Sequence, residues 1–81
     1  MEFKKYQRKP TFVDMAKLTY KEAREILKQG KFEGKEVSIS KEDKDKILSG
    51  KDNEISGYLA TDGESYWFVN FDYAQKNYFL E

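Results

Sequence analysis

The spacing of apolar residues changes along this chain, and each change marks an element. Residues 11–17 read Thr-Phe-Val-Asp-Met-Ala-Lys, with apolar positions at Val13 and Met15 and, less regularly, at Phe12, Ala16 and Leu18. Pro10 precedes them, and proline is tolerated at the start or edge of a strand, so a first strand is predicted near 11–17. The period then lengthens. Tyr20, Ala23, Ile26 and Leu27 fall on one helical face, Thr19 and Glu22 have the spacing of a capping box, and Leu18 with Ala23 can form a hydrophobic staple. Gly30 is the expected stop, which predicts a helix over about 20–29 whose opposite face, Lys21, Glu25 and Lys28, is solvated.

Val37-Ser38-Ile39 alternates within Lys35 to Ser40 and reads as a short strand. Ser40 followed by Asp43 resembles a second cap, with Gly50 as its stop, but only Ile47 and Leu48 would anchor that helix. An exposed charged loop across 41–52 fits the same run. Asp62-Gly63 is a two-residue hairpin signal of the type I′ kind, implying strands near 55–61 and 64–70. Such a loop sets Thr61 opposite Glu64, Leu59 opposite Tyr66 and Tyr58 opposite Trp67. One face then carries Ile55, Leu59, Tyr66 and Phe68, and the other Tyr58, Ala60, Trp67 and Val69. Both are apolar, so the second face needs a cover from the chain's ends, another subunit or a ligand. Asn70 or Asp72 opens a final helical turn, and Tyr78-Phe79-Leu80 can pair with a sheet edge. The fold class expected is α+β: a small, mainly antiparallel twisted sheet packed on one main helix.

Composition narrows this picture. Eighty-one residues make one domain, 1–81, with no low-complexity linker within it and with a basic arm over about 1–10. The charged fraction of 37% and mean hydropathy of −0.92 lean towards disorder, yet 16% aromatic residues argue for a packed globule. Eight of the thirteen aromatics lie between Tyr58 and Phe79, and Phe12, Leu59, Phe68, Phe71 and Phe79 read as core. The chain has no histidine and no cysteine, which removes the commonest catalytic and metal-binding side chains and suits a reducing cytosol. Neither a signal-peptide core nor a membrane-spanning run is visible, so the expected location is the cytoplasm.

Charge is balanced overall but divided. Residues 1–36 hold ten Lys and Arg against six Asp and Glu, and residues 37–81 hold five against nine. Lys4, Lys5, Arg8 and Lys9 are the candidates for holding phosphates or an acidic partner. Asp43, Asp45, Asp52 and Glu54 lack the glycine and terminal glutamate of a calcium loop, and Asp62, Glu64 and Asp72 are explained by turn and surface positions. The glycines are dispersed and form no phosphate-cradling loop. No catalytic residue, cofactor or metal is therefore expected.

Two stretches carry a resemblance. Lys4-Lys5-Tyr6-Gln7-Arg8-Lys9-Pro10, and Gly57 to Tyr66 followed by Asp72-Tyr73-Ala74-Gln75-Lys76-Asn77-Tyr78, resemble short phage and prophage proteins with an N-terminal KKY..KP stretch and a C-terminal G.YL..DGE.Y hairpin. Tyr73-Ala74 departs from that pattern, which has a phenylalanine nearby. The resemblance implies a setting in an infected bacterium and a non-enzymatic accessory protein that binds stoichiometrically, inhibiting a host defence component in the manner of an anti-CRISPR protein. A host protein is the expected partner, engaged by Tyr58, Trp67, Val69 and Tyr73. Single-stranded nucleic acid, with Tyr58, Tyr66 and Trp67 stacking bases, is the alternative, as is an oligomer that sequesters a nucleotide signal.

Overall fold

The structure, a computed structural model, describes residues 2–8 and 11–80. In chain order it runs β1 (Phe3–Arg8), β2 (Thr11–Thr19), α1 (Tyr20–Gln29), β3 (Lys31–Phe32), β4 (Lys35–Ser38), α2 (Lys41–Ser49), β5 (Ile55–Thr61), β6 (Tyr66–Asn70), α3 (Phe71–Asn77) and β7 (Phe79–Leu80). Seven strands among the described residues make one sheet in the order β3-β4-β6-β5-β2-β1-β7. Every neighbouring pair is antiparallel except β4 with β6, so the α+β, mainly antiparallel architecture is the one expected.

The best-marked element forms as its sequence dictates. Thr19 Oγ1 accepts the Glu22 N–H at 3.2 Å, Glu22 Oε1 accepts the Thr19 N–H at 3.0 Å, and the Gly30 N–H closes α1 on the Ile26 carbonyl at 2.8 Å. The charged run after it is a helix and not a loop. Ser40 Oγ accepts the Asp43 N–H at 3.2 Å, and Ile47 is wholly buried, whereas Leu48 stays 64% exposed. Arg24 of α1 supplies the missing anchor: its guanidinium donates to the carbonyls of Ile47 at 3.1 Å and Gly50 at 2.9 Å and pairs with Asp52. A fixed fork of donors suits a helix end, where carbonyls lack partners.

Three expectations are corrected. The basic arm is a strand: Phe3–Arg8 pairs with β2 from Phe3↔Ala16 to Arg8↔Thr11 and, at Tyr6 and Gln7, with β7. The tight hairpin lies elsewhere. At Glu33-Gly34 both central residues have positive φ, 50° and 81°, between the paired Phe32 and Lys35, as a mirror-image two-residue turn requires. At Asp62-Gly63 only Gly63 is left-handed, and Asp62 Oδ1 instead accepts the N–H groups of Glu64 and Ser65, both at 2.9 Å. That side-chain turn lengthens the loop to residues 62–65 and moves the register by two, so that Thr61 faces Tyr66, Leu59 faces Phe68 and Tyr58 faces Val69. A shift of two preserves the faces, because side chains alternate with period two. The third correction concerns Phe12 and Ile55, which are 49% and 38% exposed; Ile55 pairs with Thr19 beyond a bulge at Leu18/Thr19 that breaks the ladder's alternation.

Each face of the sheet has its own core. Leu18, Ala23, Ile26, Ile47, Leu59 and Phe68 pack beneath α1 and α2. Tyr6, Val13, Met15, Tyr58, Ala60, Val69, Ala74 and Tyr78 form the other, with Trp67 and Phe71 packed against it. The chain's two ends, through β1, α3 and Tyr78, therefore cover the hairpin's second face. On the opposite face, beneath α1 and α2, the central strands leave no room for a side chain at Gly57: a Cβ there would run into the Val69 carbonyl oxygen and the Phe68 ring. No helix among the described residues is long and apolar enough to cross a membrane.

Candidate functional site

The first turns of α2 and α3 meet through one asparagine. Asn70 Oδ1 accepts the Tyr73 N–H at 2.8 Å, capping α3, and its side-chain amide donates to Asp43 Oδ1 at 3.3 Å in the first turn of α2. Asp43 is nearly buried, at 9% exposure, and its position suits the positive end of the α2 dipole. The single ion pair among the described residues joins Arg24 to Asp52, so no cation pairs with Asp43 among them.

Beside this junction lies a cleft of about 280 Å³ lined by Asp43, Trp67, Phe68, Val69, Asn70, Tyr73 and Tyr78. Val69 and Tyr78 are buried and form its inner wall. Tyr73, 40% exposed, and the half-buried Trp67 stand nearer the surface, with the Tyr73 and Tyr78 rings 6.3 Å apart and inclined by 54°. Trp67 lies at the flank of its core because the strand beside β6 is the short β4, where Ser38 is its neighbour. That serine, paired with Trp67, carries no apolar side chain.

Trp67, Val69 and Tyr73 are thus brought together, but Tyr58 is not. Its side chain is 6% exposed, edge-on to Tyr6 at 5.5 Å and stacked on Phe71 at 6.4 Å with planes 8° apart. Burial first, then the neighbouring Tyr6 hydroxyl and a hydrogen bond to it, push the Tyr58 hydroxyl above its ordinary value. Tyr66 is on the opposite face, edge-on to Phe32 at 5.2 Å and donating to Glu33 Oε2 at 3.4 Å. Three aromatic residues expected to stack bases therefore do not share a surface.

The basic candidates also separate. Lys4 and Lys5 are consecutive in β1 and project to opposite faces, opposite Met15 and Asp14 respectively. Arg8 ends the β1–β2 ladder, and Lys9 lies outside the described residues. Lys4 instead joins Lys17, Glu2, Tyr6 and Met15 around a smaller cavity of about 220 Å³. Among the described residues no group of His, Cys, Asp and Glu side chains is placed to hold a metal ion.

Asp43 and Tyr78 were not among the residues that the sequence marks for binding. Asp43 reads as a cap position and Tyr78 as part of a tail; only Asn70, which reads as a cap, hints that two helix starts converge. The fold defines a small α+β domain with one sheet covered on both faces. No family model, curated protein or solved structure matches the chain, and the geometry above carries the functional argument.

Proposed function

We propose that the protein is a non-enzymatic binding protein that associates stoichiometrically with a protein of a bacterial host, in the manner of phage accessory proteins that inhibit a defence component. The observation that supports this reading is the cleft in which Trp67 and Tyr73 stand outside an inner wall of Val69 and Tyr78. Tryptophan and tyrosine concentrate binding energy in concave, desolvated sites. The charge around them favours a basic partner: residues 52–81 hold six acids and one lysine. The bacterial setting and the inhibitory role come from the resemblance of the chain's two ends to phage proteins.

Affinity capture from a bacterial lysate, followed by mass spectrometry, tests the reading. One host protein retained at fixed stoichiometry by the wild type, and lost on Tyr73→Ala, is expected. Recovery of nucleic acid alone, released by high salt, would favour strand binding. Recovery of a small nucleotide alone would favour sequestration.

A further inference from the structure

We propose that the cleft is a receptor for an arginine side chain presented by the partner, an assignment that rests on the binding reading above. The argument begins with Asp43, a carboxylate that the fold draws to 9% exposure without a cation beside it among the described residues. A nearly buried carboxylate is costly unless it is hydrogen-bonded or paired, and here the side-chain donor shown is Asn70 Nδ2 at 3.3 Å, a long bond to one of its two oxygens. Asp43 lines the cleft and keeps 9% of its surface exposed to solvent there. A ligand that brings a positive charge would replace that solvent.

The walls select the cation's type. Trp67, Tyr73 and Tyr78 line the same 280 Å³ space as Asp43, and faces of tryptophan and tyrosine attract a cation lying over them. A guanidinium is planar and weakly hydrated, so it can stack on a ring while its edge donates to a carboxylate; an ammonium does either less well. Trp67 and Tyr73, the more exposed of the aromatic lining residues, offer ring surface to the aliphatic stem. An anion is disfavoured by Asp43, and a purely apolar side chain would leave Asp43 desolvated and unpaired. The second cavity differs on this point, since two lysines, Lys4 and Lys17, outnumber the one acid, Glu2, that lines it.

The test uses the intact protein and two blocked tripeptides, glycyl-arginyl-glycine and its citrulline counterpart, which matches the shape without the charge. Heteronuclear NMR follows the indole N–H of Trp67, the only tryptophan, and the side-chain amide of Asn70. The arginine peptide is expected to shift both resonances saturably and the citrulline peptide to bind at least about tenfold more weakly, as loss of a charge-assisted hydrogen bond implies. Asp43→Asn, which keeps shape and the Asn70 contact, is expected to weaken the arginine peptide by a similar factor. Tyr73→Leu, at an exposed position, does the same and guards against a misfolded Asp43 variant. Equal response to both peptides, an unchanged affinity in the variants, or shifts confined to Lys4, Tyr6 and Lys17 would overturn the assignment. If arginine fails while Tyr73→Ala still abolishes partner capture, the arginine assignment falls and the binding reading stands. If arginine binds and capture is unaffected by Tyr73→Ala, the binding reading falls instead.

Discussion

Tyr58 sits where both ends of the chain close over the hairpin, between Tyr6 of β1 and Phe71 of α3. Its raised hydroxyl pKa has a consequence for stability. The folded protein holds this proton above pH 10.0, the ordinary value, whereas the unfolded chain releases it there. The contribution is complete below that pH and is lost as pH climbs through the folded value. Denaturation midpoints are therefore expected to be level at about pH 8 and to fall towards about pH 11, less steeply in Tyr58→Phe. Tyr66 has the same sign, from burial first and then Glu33, so the double variant with Tyr66→Phe flattens the curve further. A midpoint with the same alkaline slope in wild type and both variants would contradict this. The sequence showed that Tyr58 pointed to an apolar face, but its cover lies more than fifty residues upstream in β1, a separation that periodicity cannot bridge.

At the scale of elements, Arg24 is the joint between α1, the end of α2 and the following turn. Arg24→Ala removes two hydrogen bonds to carbonyls and the pair with Asp52, and a loss of about 1.5–3 kcal/mol in urea unfolding is expected. Arg24→Lys recovers little, because one ammonium cannot reach both carbonyls and the carboxylate in a fork. A variant as stable as wild type would show that Ile47 alone anchors α2. The elements differed in how plainly they were written. α1 was legible because cap, stripe and stop agree within a dozen residues, Thr19 to Gly30. The hairpin turn was less so: Asp62 can support a two-residue turn through its backbone or a longer one through its carboxylate, and the latter wins here. β1 was hidden because Lys4, Lys5 and Gln7 interrupt the apolar pattern, while Phe3 and Tyr6 serve opposite cores.

For the whole molecule, the sheet has no spare face. Its two cores consume most of the aromatic surplus, and the termini supply the cover that the hairpin alone required. What remains is concentrated where β6 borders the polar β4 and two helix starts converge. Trp67, Val69 and Tyr73 were visible as candidates because their strand and turn are local. Asp43 was not, since its approach to Asn70 depends on the parallel crossover through α2 and β5. The central claim, that this cleft is the surface on which a partner docks, is tested most directly by placing a photo-crosslinking amino acid at position 73 and, as a control, at position 12. Both positions are exposed, Tyr73 at 40% and Phe12 at 49%, and Phe12 lies on the sheet's other face. Irradiation in a bacterial lysate is expected to yield one covalent protein adduct from position 73 and none from position 12. Adducts formed equally from both positions, or from position 12 alone, would contradict the account.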